Sequence, residues 1–171
     1  MKTIKLFLLG IGLTVLLTGC AGASEDFQNK TDSGNLSAVN GTTYDWGNIN
    51  IKGGVASRIF DFKNDSPDPL YLKGAETSCM CTQARYRLSD SSISPKYGMH
   101  NNPTGWATKV QPGETFEVEV LFDPMAHGPN ATGPIQRDIM LFTSEKNNPV
   151  MKLKVSGNVL SEQEYLDQQP L

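Results

Sequence analysis

From residue 42 onward, apolar and polar side chains alternate with a period of two rather than 3.6. In Thr115–Phe122, Phe116, Val118, Val120 and Phe122 share one face while Glu117 and Glu119 take the other. Residues 150–155 repeat the pattern, with Lys152 and Lys154 outward. In the segment 54–63, Ala56, Phe60 and Phe62 line one side, and Arg58 falls on the same register as an edge exception. Further strands are predicted at 42–50, 69–75, 79–86, 106–110 and 135–143. Turn chemistry separates them: Asn64-Asp65-Ser66-Pro67, Gln111-Pro112-Gly113-Glu114 and Asn147-Asn148-Pro149. Short strands without an amphipathic helix between them predict an all-β chain, an antiparallel β-sandwich. Only Ser161–Gln168 has a helical look. Trp46 and Trp106 are expected as core pillars of such a sandwich.

The ends of the chain change the picture. Lys2 and Lys5 precede an apolar run from Leu6 to Leu17 that is short for a bilayer span, so residues 1–19 read as a signal peptide. The run ends in Leu17-Thr18-Gly19-Cys20, which resembles the lipobox of bacterial lipoproteins. That resemblance implies cleavage before Cys20, lipidation of its thiol and a membrane anchor in the cell envelope, at the periplasmic face or the cell surface. Ala21 after the cysteine suggests the outer membrane, where there is one. Residues 20–40, rich in Ser, Asn, Asp and Gly, read as a lipidated flexible tether. Residues 41–160 form the domain and 161–171 a C-terminal tail.

Removing residues 1–19 takes away two lysines and no acid, moving the formal charge from −3 to −5. A mildly acidic chain without basic clusters argues against nucleic acid as a partner. A monomer is expected, with any protein partner unidentified.

The order of motifs carries a further resemblance. Tyr44-Asp45-Trp46-Gly47 and Phe60-Asp61-Phe62-Lys63-Asn64 come first, then Pro69-Leu70-Tyr71-Leu72 and Ser78-Cys79-Met80-Cys81-Thr82. Gln111-Pro112-Gly113-Glu114, Phe122-Asp123-Pro124 and Gly157-Asn158-Val159 close the series. Over roughly residues 40–160 the chain resembles a bacterial Ig-like domain-of-unknown-function family, number fifteen seventy-three, related to the Hydin-type domains. The resemblance implies an Ig-like sandwich of seven to eight strands, often on a lipoprotein, and little about activity. Two departures stand out. Met80 replaces the usual Gly between the cysteines, and residues 88–106 and 123–134 are longer than the minimal domain. These extra stretches are where a function particular to this chain is expected.

With Cys20 used by the lipid, Cys79 and Cys81 are the free thiols, so the chain is not a disulfide framework. In a strand, residues two apart share a face at about 6.6 Å, with Met80 turned away. In a turn, Met80 can join the thiols. Three readings of the pair stay open: a strained, easily reduced disulfide, plain burial of small hydrophobes, and metal binding.

Both histidines sit in Gly/Pro-rich loops beside a methionine: Met99-His100, and Met125 with His127. Thiolate, thioether and imidazole form a soft donor set suited to Cu(I). Zn(II) is the runner-up, because its cysteines are usually spaced by two to four residues. The candidate ligands are Cys79, Cys81 and His127, then His100 or Met99, with Met125 as ligand or wall.

No His-Glu-x-x-His helix, Gly-x-Ser-x-Gly elbow or phosphate loop is present, and no cationic cluster is evident to lower a thiol pKa. Arg85, Arg87 and Arg137 are too dispersed for a phosphate site. A non-enzymatic binding module with a Cu(I) site is expected. An adhesion or scaffolding module and a thiol-redox accessory are the alternatives.

Overall fold

Alternation along the chain becomes two faced sheets. The computed structural model describes residues 36–100 and 102–169; the signal peptide and the lipidation of Cys20 lie outside them. The strands are β1 Leu36–Ala38, β2 Thr43–Asn50, β3 Ala56–Asn64, β4 Leu70–Thr77, β5 Thr82–Leu88, β6 Thr108–Val110, β7 Thr115–Phe122, β8 Gly133–Thr143 and β9 Val150–Leu160, followed by helix α1, Glu162–Asp167. One sheet has the order β1-β3-β7-β5 and the other β2-β9-β8-β4-β6. The class is the expected all-β sandwich.

Three details differ from the sequence reading. The described residues hold nine strands rather than seven or eight, because β1 forms inside the segment read as tether. There Leu36 is 2 % exposed in the core and Leu36–Ala38 pairs with Phe62–Asn64. The second sheet is mixed, since β2 runs parallel to β9. The strand expected at 79–86 begins only at Thr82, because Cys79–Cys81 form a turn. The helical tail is borne out as α1. Ser161 caps it reciprocally with Glu164, and Lys52 Nζ reaches Glu162 Oε2 at 2.7 Å.

Phe60, Phe62, Tyr86, Val118 and Val120 from one sheet face Leu72, Ile139, Leu141, Leu153 and Val155 from the other, all fully buried. Each such side chain contributes about 1.5–3 kcal/mol through the water it sheds. Arg58, the exception on β3, lies where β1 no longer pairs with that strand. Its guanidinium stands 4.4 Å from the Tyr44 ring centroid, a cation–π contact.

The extension at 88–106 folds back over β5, the edge of the first sheet. Ala84 and Tyr97 exchange both backbone hydrogen bonds, at 2.9 and 2.8 Å. A covered edge cannot template pairing with another chain. Tyr97 then reaches inward against Gly74, and Trp106 stacks on Tyr86 at 5.3 Å. Both tryptophans pack on the core.

At one end of the sandwich a second apolar cluster gathers where strands start or finish: Ile49, Ile51, Cys81, Phe122 and Val159. Trp46 stacks on Phe122 at 5.7 Å, and its indole N–H donates to Ser57 O at 3.2 Å. The thiols rest on this cluster.

Candidate metal centre

β4 belongs to one sheet and β5 to the other, so the chain must cross the sandwich within four residues, Ser78 to Cys81. It does so in a tight turn closed by Thr82 N–H donating to Cys79 O at 3.1 Å. Buried Thr77 sets the turn from below. Its hydroxyl lies 3.0 Å from Cys79 O and 2.9 Å from Thr82 O and is shared between them. Ser78 ties the entry to β8: its N–H donates to Asp138 O at 2.9 Å, and its Oγ accepts from Asp138 N at 3.0 Å.

The result is a bent dithiol. Cys81 is 3 % exposed and packs in the second cluster, while Cys79 is half-buried at its rim. The Cys81 N–H points at Cys79 Sγ, 3.5 Å away. Met80 does not turn under the pair; it is 65 % exposed.

The extension at 123–134 delivers the third donor. Asp123 N–H donates to Cys81 O at 2.9 Å, continuing the β5–β7 ladder by one residue. Asp123 Oδ1 then accepts from Met125 N at 2.9 Å, an Asx turn that starts to fold the loop back. Gly128, at φ 99°, completes the reversal with its N–H on Met125 O at 2.8 Å. Ala126 packs on the apolar cluster, and the exposed His127 swings over the thiols with Nε2 3.1 Å from Cys79 Sγ.

The two sulfurs and a ring nitrogen of His127 all lie within 4.8 Å of one another. A cation bonded at about 2.3 Å to each sulfur spans at most about 4.6 Å between them. The group therefore needs little rearrangement to hold a metal ion.

Of the other candidate ligands, His100 is not a member of this group. Its loop is anchored by Gly98 O accepting from Thr77 N at 3.1 Å, at the last residue of β4. Met99 and Met125 are 38 % and 41 % exposed.

Arg137, too dispersed from Arg85 and Arg87 along the sequence for a phosphate site, is brought against the thiols by the fold. It lies on β8, one residue from the Asp138 that binds Ser78. Its Nε donates to Cys81 Sγ at 3.1 Å, and its Nη1 to Gln136 O at 2.8 Å. Its guanidinium carbon stands 6.0 Å from the Phe122 ring centroid. A cation therefore faces the thiols, contrary to the expectation that none is placed to lower a thiol pKa. Burial pushes the Cys79 thiol up, but hydrogen bonding from Cys81 and the charge of Arg137 outweigh it and hold the thiol below its ordinary value. Burial works against the Arg137 charge in turn, and the two thiols overcome that effect, raising its pKa. Only the β4–β5 crossover and the β8 pairing bring residues 56 apart together; no local motif announces it.

Two solved structures with a TM-score of 0.53 agree on fold. A structure of a protein of unknown function from Porphyromonas gingivalis W83 is 17 % identical, with a TM-score of 0.53 over 78 % of this chain and 51 % of that one. The chain thus spans about half the length of that relative. A family 123 glycoside hydrolase from Clostridium perfringens is 8 % identical, with a TM-score of 0.53 over 75 % of this chain and 27 % of the enzyme. The human CEP192 ASH / PapD-like domain is 8 % identical, with a TM-score of 0.47, over 90 % of this chain and 98 % of that domain. No match was found among curated proteins. The family resemblance is supported over a shorter stretch than the 40–160 expected, one that includes Cys79 and Cys81 and stops before His127 and Arg137. Residues 38–96 match the model of the family described as "Protein of unknown function (DUF1573)", the family that the sequence motifs resemble.

Proposed function

We propose that this chain is a lipid-anchored binding module of the cell envelope that holds Cu(I) through Cys79, Cys81 and His127, for storage or delivery. The observation that carries the reading is the convergence of two thiols and an imidazole within 4.8 Å, from two separate stretches of backbone, the β4–β5 turn and the loop after β7. Two sulfurs and one nitrogen suit a soft monovalent ion, which accepts two or three such ligands. Zn(II) is the competing occupant and would need a fourth donor. The half-exposed rim at Cys79 and the exposed His127 leave a route for loading and transfer. Neither catalysis nor nucleic-acid binding is part of this function, and anchorage rests on the Cys20 lipobox.

The test is titration of the reduced protein with Cu(I) against a competing chelator. One ion bound tightly, with two thiols protected from alkylation, supports the reading. Cys79→Ser and Cys81→Ser each abolish tight binding, and His127→Ala weakens it.

A second reading has its own observation. Cys79 is the accessible member of the pair and has a lowered pKa, while Cys81 is buried behind it. That asymmetry suits a thiol-redox accessory in which Cys79 meets the partner and Cys81 closes the disulfide. Counting free thiols with and without reductant separates the two.

A further inference from the structure

The metal reading explains three donors and leaves out the cation that touches them. Arg137 Nε stands 3.1 Å from Cys81 Sγ; the sulfur is buried, and the half-buried guanidinium lies 6.0 Å from the Phe122 ring centroid. An arginine so close to a site for cations is unfavourable unless the loaded site is itself negative.

The charge count decides which ions meet that condition. Two thiolates and neutral imidazole around a monovalent ion carry a net charge of minus one. Arg137 brings the assembly to zero. The same donors around a divalent ion are already neutral, and Arg137 leaves an uncompensated positive charge beside a buried sulfur. A charge left without a partner at a half-buried position is less well solvated than in open water, whereas a charge-assisted hydrogen bond to a compensating partner is favourable. Charge cannot leave the guanidinium by deprotonation.

Resting on the metal reading above, we propose that Arg137 is the specificity-determining residue of the site, selecting a monovalent soft ion over a divalent one by neutralising the anionic bis-thiolate complex. The fold supports this by construction. β8 carries Arg137 at the position adjoining Asp138, whose backbone holds Ser78 through two hydrogen bonds, so cation and thiol turn are fastened to one strand. The Nη1 bond to Gln136 O keeps the guanidinium aimed at the sulfur. Arg137 does not bind the ion; it acts through the sulfur.

The experiment measures Cu(I) and Zn(II) affinities by chelator competition for the wild-type protein, Arg137→Gln and Arg137→Lys. Losing a hydrogen bond to a charged group predicts a Cu(I) affinity lowered about tenfold or more in Arg137→Gln. Zn(II) affinity is predicted to hold or rise, so the preference for Cu(I) narrows by at least that factor. Arg137→Lys retains the charge and recovers part of the preference. Circular dichroism and the melting temperature of each variant establish that the fold is kept; if Arg137→Gln unfolds, the Lys variant and its Cu(I)-to-Zn(II) ratio decide alone. Equal loss of both metals, or an unchanged ratio, overturns the role of Arg137 while leaving the site itself intact. Failure of the wild-type protein to bind Cu(I) overturns the metal reading and this inference with it.

Discussion

His127 Nε2 stands 3.1 Å from Cys79 Sγ although 48 residues separate them in the chain. The contact depends on Asp123 N–H holding Cys81 O and on the Asx turn that follows. His127→Ala is therefore expected to keep the fold, since the imidazole is exposed, and to weaken Cu(I) binding by about tenfold or more. Asp123→Ala leaves all three donors present but frees the loop, and is expected to weaken binding in the same direction. Chelator competition on both variants checks this. Full affinity in either would mean that the loop is not part of the site.

The Cys79 thiol titrates below its ordinary value of 9.0. A depressed folded-state value means that, between it and 9.0, the unfolded chain binds more protons and stability rises with pH. This contribution is complete above 9.0 and is lost as pH falls through the folded value. Thiolate absorbance of the reduced protein should show its first half-point below 9.0 and move upward in Arg137→Gln. An unmoved half-point would show that the guanidinium does not act on the pair.

Thr77 holds the thiol turn with one buried hydroxyl. Thr77→Val keeps the volume and deprives Cys79 O and Thr82 O of that donor. A loss of about 1–3 kcal/mol is expected from chemical denaturation, together with weaker metal binding. Unchanged stability would mean that the turn is set by its backbone alone.

Gly74, at φ 109°, lies under Tyr97, and a Cβ there would meet Tyr97 Cε1 at 3.0 Å. Gly74→Ala combines left-handed strain with a collision against a buried ring, predicting a loss of about 1–3 kcal/mol. The measurement is the denaturation midpoint. A neutral result would show that the ring is not fixed against β4.

How much of this is legible in the sequence varies with the range of the interaction. The alternation at Phe116-x-Val118-x-Val120-x-Phe122 gives β7 outright, since one-sided burial has period two. β1 escapes because three residues with a single buried Leu36 sit in a polar stretch and carry no period. The parallel β2–β9 pair is a matter of topology, invisible to local pattern. Cys79 and Cys81 announce themselves by type, and His127 by its loop composition. Arg137 does not, because its register is that of an ordinary strand and only the β4–β5 crossover explains why it meets a thiol. Within residues 88–106, whose length beyond the minimal domain is legible in the sequence, the packing of Tyr97 and Trp106 on the core is not, because it depends on the far side of the sandwich.

The most direct measurement is a Cu(I) titration of the reduced wild-type protein and the Cys79→Ser/Cys81→Ser double variant against the same competing chelator. The account predicts one tightly bound ion in the wild type, two thiols protected by it, and loss of that binding in the double variant. Full-strength binding by the double variant, or none by the wild type, would contradict it.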